Sequence, residues 1–306
     1  MTSISRTAAT PSRSAQSRKT DGYSFAFYKL LFMMPTIIVL ACVVAGPLIY
    51  SFWLSLHEYV ITYGLGDLVW LHNYAVILSE DFASVSWTTM KLTAIVVCLE
   101  FLIALSLALL LNQSWLKFRE LYLTVLMLPI LMTPVAVALM FRLMFNPNLG
   151  IINWIISVVG IPQQGWFGDP HLALATVVLV DIWTETSLML IMLYAGLKSL
   201  PQDPVEAARI DGANAFQILR HVTLPMLKPV ILVTLMIRMI TALKSYDLIY
   251  MLTQGGPGKV TETISFYAYR LGFRFLDIGQ AAAVSFILLT AVIVLTVVLL
   301  RVMREN

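Results

Sequence analysis

The stretch that decides how this chain is organised is Pro201–Pro229, PQDPVEAARIDGANAFQILRHVTLPMLKP. It separates two long apolar segments, yet it is charged and contains good helix formers. Proline is tolerated before or within the first turn of a helix, so Pro201 and Pro204 predict a helix start. Glu206 then falls near that start, where its charge suits the positive end of the helix dipole.

A glycine bend divides the stretch into two parts. Asp211-Gly212 interrupts the first helix, and Asn214 is a residue type that caps a second short helix. Leu224-Pro225 is predicted to end this second helix, because the residue before a proline is pushed out of the α region. The prediction is therefore a helix, a bend and a helix.

The two short helices carry apolar side chains that water should not be left to cover. These are Val205, Ala208, Ile210, Phe216, Ile218 and Leu219. Two interpretations follow from the physics alone: a loop folded against its own bundle, or a docking element for a soluble partner.

The same stretch resembles the EAA loop of binding-protein-dependent ABC importer permeases of the carbohydrate type. The matching residues are Glu206-Ala207-Ala208, Asp211-Gly212-Ala213 and Val222-x-Leu224-Pro225, with Val222 where isoleucine is usual. The resemblance extends from about Leu30 to the end, through Ser51-Phe52-Trp53, Leu149–Asn153 and Tyr246–Pro257. It implies that a coupling loop, residues 198–229, meets an ATPase subunit through the EAA, DGA and Leu-Pro residues and Phe216.

Composition independently indicates an integral membrane protein. Of 306 residues, 59% are hydrophobic and 12% charged, and the mean hydropathy is +0.84. A soluble domain is roughly half apolar and about a quarter charged. The net charge of +3 is too small to suggest nucleic acid. Cys42 and Cys98 have no metal or redox spacing, and both are predicted to be buried apolar residues.

Six apolar segments are each near or above the ~20 residues that a membrane-spanning helix needs. Their approximate limits are residues 29–56, a second span ending at 111, 121–145 with breaks at Pro129 and Pro134, 172–197, 230–252 and 281–300. Residues 1–24 are predicted to be a disordered cytoplasmic tail, which leaves 25–306 as the permease domain. Ile151–Val159 is predicted to lie along the outer membrane surface. The expected fold is an all-α bundle of six transmembrane helices.

The distribution of basic residues predicts that both termini are cytoplasmic. Of 20 lysines and arginines, thirteen fall in the segments assigned to the inside. Three lie in the outer loops, at Lys259, Arg270 and Arg274, and four lie within the span limits. Cytoplasmic loops carry such an excess of positive charge, so the coupling loop is expected on the inside.

The sequence contains neither a GxxxxGK[ST] phosphate-binding loop nor an HExxH zinc motif. No catalytic residue, metal ligand or cofactor is therefore predicted for this chain. The expected source of energy is a separate subunit that binds ATP and magnesium.

Six ionisable residues lie at membrane depth, where charge is costly and faces the bundle interior or an aqueous path. They are Glu100, Asp181, Glu185, Arg238, Lys244 and Asp247. Arg238 or Lys244 is expected to neutralise carboxylates on the fourth span. A cation left over would be able to face an acidic sugar derivative. An ion-coupled secondary transporter using Asp181, Glu185 and Arg238 is the alternative.

In sugar importers of this family, the helices on either side of the EAA loop line the solute cavity. By that resemblance, the predicted cavity residues are Thr184, Glu185, Leu188, Arg238, Ala242, Lys244 and Ser245. Trp183, Tyr246 and Tyr250 are aromatic residues that could stack on a sugar ring.

The resemblance implies one multi-pass permease subunit in a bacterial inner membrane. Its expected partners are a second permease, two ATP-binding subunits and an external solute-binding protein, within the lipid bilayer and without nucleic acid. The expected activity is import of a sugar or sugar derivative, and the sequence does not name that solute.

Overall fold

A computed structural model describes residues 21–79, 82–113 and 115–304, which are predominantly helical. The chain divides into two compact units, residues 1–51 and 52–306. The helices are α1 (Asp21–Leu40), α2 (Gly46–Ser55), α3 (His72–Ser79), α4 (Phe82–Leu111), α5 (Arg119–Met127), α6 (Pro134–Met144), α7 (Ile151–Val158), α8 (Ala173–Ser199), α9 (Asp203–Ile210), α10 (Ala215–Ile218), α11 (Leu224–Leu243), α12 (Asp247–Leu252), α13 (Ile264–Tyr269) and α14 (Ile278–Arg304). Single π-helical turns cover Ala41–Ala45, Leu219–Thr223 and Arg270–Arg274, and a 3₁₀ turn covers Leu128–Leu131.

Within the described residues, five helices are long and apolar enough to cross a membrane. They are Tyr28–Ser55, Phe82–Leu111, Ala173–Ser199, Ala215–Leu243 and Ile278–Arg301. The number rises to six if the bent pair Arg119–Leu131 and Pro134–Met144 is counted as one span. The predicted all-α membrane fold is confirmed.

The third predicted span is bent by 97° between its two halves. Pro129 lies in the 3₁₀ turn, and Pro134 begins α6. Thr133 is extended, as the residue before a proline prefers, and its side-chain oxygen caps α6 by accepting from the Ala136 N–H at 3.4 Å. Both breaks fall at the predicted prolines, whereas the size of the bend was not predicted.

The fifth predicted span, residues 230–252, has the wrong limits. One continuous helix covers Ala215–Leu243, so Leu224-Pro225 does not end a helix. Leu224 is helical, with φ −63° and ψ −43°. The π turn Leu219–Thr223 directly precedes Leu224-Pro225, so the hydrogen-bond register of the helix changes where the N–H of Pro225 is missing. The helix stops instead at Leu243, and α12 is a separate segment.

Two smaller predictions also differ from the structure. The tail, residues 1–24, lies outside the described residues except for 21–24, which are helical rather than disordered. Cys42 and Cys98 are exposed rather than buried. Lipid hydrocarbon is as apolar as a protein interior. An apolar side chain on a spanning helix can therefore face the lipid and does not have to be buried in the protein.

The core of the larger unit is built on α4, α8 and α11. Ala104 and Ala108 of α4 are fully buried in a cluster with Leu193 of α8 and Leu227 of α11. A Cβ on Gly196 would lie 2.7 Å from a Val230 methyl group, so α8 and α11 approach closely there. Small residues at such contacts let membrane helices pack against one another.

A short antiparallel hairpin, β1 (His57–Val60) and β2 (Gly64–Leu68), follows α2 and was not predicted. Buried Asn73 holds its base by donating to the carbonyls of Ser55 and His57, both at 2.9 Å. Residues Ile151–Val158 form the short helix α7, and its location along the outer membrane surface stays a prediction.

Candidate functional site

The coupling segment, residues 201–229, begins with the predicted helix and glycine bend. Asp203 and Glu206 lie in the first turn of α9, where their charges suit the helix dipole. Gly212 has φ +81°, a left-handed conformation that glycine adopts without strain. The N–H of Ala213 donates to the carbonyl of Ala208 at 3.0 Å and closes the end of α9.

Asn214 caps the second short helix, as predicted. Its side-chain oxygen accepts from the N–H of Gln217 at 2.9 Å. The side chain of Gln217 returns the bond, since its Oε1 accepts from the N–H of Asn214 at 2.8 Å. This reciprocal capping box fixes the start of α10, which continues without a break into α11.

The apolar side chains of the coupling segment point in two directions. Ile218 is 8% exposed and packs inside the protein. Ile210 and Phe216 are 86% and 66% exposed. Of the other predicted coupling residues, Glu206, Ala207, Asp211, Gly212 and Pro225 are exposed, while Ala208, Ala213 and Leu224 are half-buried. The bundle therefore covers one side of the segment and leaves a mixed charged and apolar side open.

A groove of about 830 Å³ lies beside this open side. Phe216 and Ala213 line it together with three basic residues, Arg119, Lys198 and Arg209. The surface around the coupling segment thus combines an exposed aromatic ring with positive charge.

At membrane depth, Arg238 of α11 joins Glu100 of α4 and Asp181 of α8. Its Nε donates to Glu100 Oε2 at 2.5 Å and its Nη2 donates to Glu100 Oε1 at 2.9 Å. Nη2 also donates to Asp181 Oδ2, and Nη1 donates to the hydroxyl of Thr241 at 3.2 Å. The two-point contact with Glu100 is the strong arrangement of an arginine–carboxylate pair.

This ion cluster is almost completely closed to solvent. Arg238, Glu100 and Asp181 are 2%, 0% and 5% exposed. Glu100 lies eleven residues from the end of α4 at Leu111, which is about 16 Å along the helix and near the middle of a ~30 Å hydrocarbon layer. The expected neutralisation of a fourth-span carboxylate by Arg238 is present. Glu100, on the second span, is a partner that the sequence did not assign.

Most of the predicted cavity residues meet around a small cavity of about 140 Å³. Thr184, Glu185, Arg238, Lys244 and Ser245 line it. Leu188 and Ala242 do not line it, and Ala242 is instead buried in an apolar cluster. Contact of any of these residues with a solute stays a prediction.

The cavity also has lining residues that were not predicted as cavity positions, including Asp181, Asp247 and Tyr246. Asp181 reaches it from α8, whereas Tyr246 and Asp247 reach it because the chain breaks between α11 and α12, and no proline or glycine marks that break in the sequence. Lys244, just after α11, is exposed. Within the part of the chain that the structure describes, neither Lys244 nor Glu185 forms an ion pair.

The aromatic residues considered for sugar stacking contact other aromatic rings of the protein. The rings of Tyr246 and Tyr250 stack with centroids 5.5 Å apart, and the ring of Tyr269 lies 5.2 Å from that of Tyr246. Trp183 meets Phe141 edge-on at 5.3 Å and is 39% exposed. Such pairs stabilise the fold.

An apolar helical bundle, a polar cavity at membrane depth and an open helical segment continuous with a spanning helix define a membrane permease. The chain belongs to the family of inner membrane components of binding-protein-dependent transport systems, whose profile matches residues 100–304.

Similar proteins carry more specific names. The chain is 37% identical to the trehalose/maltose transport system permease protein MalF of Thermococcus litoralis, over 90% of this chain and 92% of that protein. It is 32% identical to the lactose transport system permease protein LacF of Rhizobium radiobacter, over 97% and 99% of the two chains. It is also 32% identical to the sulfoquinovosyl glycerol transport system permease protein SmoG of Agrobacterium fabrum, over 90% of each.

A solved structure has the same fold. It is a bacterial ABC transporter involved in the import of the acidic polysaccharide alginate, and it matches with a TM-score of 0.80 at 24% identity. The match covers 92% of this chain and 96% of the other. The chain is thus an inner membrane component of a transport system that depends on a binding protein.

Proposed function

We propose that this permease imports a sugar or a sugar derivative across a bacterial inner membrane, with both termini in the cytoplasm. The observation that carries the proposal is the open side of the coupling segment, where Glu206, Ile210 and Phe216 are all exposed. The carbohydrate class is supported by relatives named for trehalose/maltose and lactose transport. The proposed complex contains a second, different permease and two ATP-binding subunits, which bind the ATP and magnesium.

The continuous helix Ala215–Leu243 gives the coupling segment a rigid connection to the membrane interior. Phe216 and Arg238 are 22 residues apart on it, which corresponds to about 33 Å. When the ATP-binding subunits close, they pull the coupling segment, and α11 transmits the displacement to the ion cluster and to the cavity. Two packed arrangements of the same helices would then open the cavity alternately to each side.

Recognition of an acidic solute would require a cation beside the cavity that is not already paired with a carboxylate. Arg238 already donates to two carboxylates and a hydroxyl. Lys244 is exposed beside the cavity and has no ion pair within the described residues. We therefore assign any contact with an acidic sugar group to Lys244, and we assign Arg238 to joining the helices.

The test is uptake by the assembled complex in proteoliposomes. Import should require ATP on the side of the coupling segment and solute-binding protein on the other side. A sodium or proton gradient alone should drive none. Uptake that follows an ion gradient without ATP would instead support a secondary transporter coupled through Asp181, Glu185 and Arg238.

A further inference from the structure

We propose that Thr263 is a positioning residue for the solute cavity, because its hydroxyl group holds the break between α11 and α12 in place. Thr263 does not itself line the cavity. Its effect on the break is a property of this chain alone, whereas its effect on uptake rests on the proposed import of a sugar.

The break between α11 and α12 forms one wall of the cavity. Four consecutive residues after the end of α11 line it: Lys244, Ser245, Tyr246 and Asp247. Backbone carbonyls at the end of a helix have no partner within that helix. The position of this wall therefore depends on the groups that bond to those carbonyls from elsewhere in the fold.

Two hydroxyl groups from residues 263–265 bond to carbonyls at the break. Thr263 Oγ1 donates to the carbonyl of Ser245 at 3.1 Å, and Ser265 Oγ donates to the carbonyl of Leu243 at 3.5 Å. The shorter of the two is the stronger, since hydrogen bonds weaken with distance. Thr263 is 0% exposed. Because a buried hydroxyl without a partner is costly, the bond to Ser245 resists displacement of the wall.

The same hydroxyl also begins α13. It accepts from the N–H of Phe266 at 3.3 Å, and Thr263 has the extended conformation of a helix cap, with φ −94° and ψ 162°. One hydroxyl thus uses its donor and an acceptor site at once. It connects the first turn of α13 to the cavity wall.

The segment that carries Thr263 is itself fixed to α4. The N–H of Ile264 donates to Thr89 Oγ1 at 2.9 Å, and Thr89 Oγ1 donates in turn to the carbonyl of Val85 at 2.8 Å. Thr89 is also 0% exposed. Thr263 therefore ties the cavity wall to the core helix that carries Glu100.

A small displacement of this wall matters because the cavity is small, about 140 Å³. Binding groups have to be held within about 0.5 Å of their productive geometry by the residues around them. Release of the Ser245 carbonyl would move the backbone that carries the side chains of Ser245 and Lys244. Contact between a solute and these side chains should then weaken, although Thr263 touches no solute.

The experiment combines hydrogen exchange of the assembled transporter with uptake of radiolabelled maltose, a neutral disaccharide, into proteoliposomes. Thr263→Val keeps the shape of the side chain and removes the hydroxyl. The amides of residues 244–247 should exchange about fivefold faster, which corresponds to the loss of one hydrogen bond. KM for maltose uptake should rise by a similar factor. Thr263→Ser keeps the hydroxyl and should behave as wild type in both measurements.

Thr261→Val is the matched control. Thr261 is a threonine of the same loop and is also 0% exposed. Its hydroxyl donates to the carbonyl of Gly256 at 2.8 Å and lies 2.7 Å from the hydroxyl of Thr253, away from the cavity wall. Both valine variants should lower the melting temperature, since each loses buried hydrogen bonds. Faster exchange at residues 244–247 and a higher KM should appear only in Thr263→Val.

Unchanged exchange at residues 244–247 in Thr263→Val would overturn the proposal, and so would an equal increase in Thr261→Val. Faster exchange with an unchanged KM would remove the role in uptake. If wild type takes up no maltose while the exchange results are as expected, the positioning role is supported and maltose import is what is refuted. Should Thr263→Val not assemble, Ser265→Ala removes the longer bond to the same break. Wild-type exchange at residues 244–247 in that variant would overturn the proposal.

Discussion

The coupling segment and the ion cluster are two charged regions connected by the helix Ala215–Leu243, and they differ in their exposure to solvent. The cluster is closed, because Arg238, Glu100 and Asp181 are buried and bonded to one another. The coupling segment is open, because Glu206, Ile210 and Phe216 face outwards. The difference indicates that the charges of the cluster are paired within this chain, whereas the exposed side of the coupling segment requires contact with another protein chain. Substitutions in the two regions should therefore separate stability from transport.

The largest expected effect is on stability, at Arg238. Arg238→Gln leaves two buried carboxylates without their cation, and removing one partner of a buried pair costs about 3–5 kcal/mol. The melting temperature of the purified complex should fall and transport should fall with it. Arg142→Gln is the matched control, since Arg142 is exposed and makes one bond of 3.3 Å to a backbone carbonyl.

A triple variant sharpens this test. Glu100→Gln, Asp181→Asn and Arg238→Met together remove every charge of the cluster, and replacing a complete buried pair is often close to neutral. Stability should recover substantially compared with Arg238→Gln alone. Unchanged melting of Arg238→Gln with loss of transport would contradict the comparison, and would favour direct contact between Arg238 and the solute.

The second effect is on transport, at the coupling segment. Glu206→Lys reverses the charge of an exposed residue that is proposed to contact an ATP-binding subunit, and Gly212→Trp adds a bulky side chain at a φ of +81°. Uptake should fall at least ~10-fold in each, as a loss of ~1.4 kcal/mol or more in docking requires.

The melting temperature of the permease itself should change little in Glu206→Lys, because Glu206 is exposed and makes no ion pair within the described residues. Glu120→Lys gives the same charge change at an exposed residue outside the segment, and it should transport normally. Normal uptake and normal ATPase co-purification in both segment variants would remove the docking role.

A smaller effect is expected at the capping box. Asn214→Ala removes the acceptor for the Gln217 N–H, and the loss of such a cap costs ~1 kcal/mol. The start of α10 should fray, which hydrogen exchange of residues 215–218 would detect, while the melting of the bundle stays close to that of wild type. Asn148→Ala serves as the control, since Asn148 caps no helix. Equal exchange in wild type and Asn214→Ala would show that the packed bundle alone holds the segment.

The smallest effect on stability is expected for Lys244→Gln, because Lys244 is exposed and unpaired within the described chain. If the solute carries an acidic group, KM for uptake should rise without a change in melting temperature. For a neutral sugar, KM should stay the same. A fall in melting temperature comparable to that of Arg238→Gln would show that Lys244 holds the helices together instead.

The sequence predicted the coupling segment well because its structure is local. Pro204, Gly212 and Asn214 act on the backbone within a few residues, so their effect does not depend on the rest of the fold. The predicted end of the second helix was wrong. A π turn precedes Pro225 and lets the helix continue through it, and no local sequence pattern predicts that turn. Most of the long apolar spans were equally predictable, since hydrocarbon thickness sets their length, but the limits of the fifth span were wrong.

The ion cluster was only partly predictable because its members are far apart in sequence. Arg238 was expected to pair with a carboxylate of the fourth span, and Asp181 is that partner. Glu100 is 138 residues away from Arg238 in sequence. The pairing of these two residues depends on how α4 packs against α8 and α11. The cavity was likewise placed only approximately, because the break after Leu243 brings Tyr246 and Asp247 to its wall.

The most direct test of the comparison is photo-crosslinking from single positions in the assembled transporter. Benzoylphenylalanine in place of exposed Phe216 should capture an ATP-binding subunit, with a yield that changes when ATP is added. The same probe in place of Trp154 of α7, which is also exposed, should not. The expected result is that the probe at position 216 captures an ATP-binding subunit and the probe at position 154 does not. Capture of lipid or of this chain alone from Phe216 would contradict it.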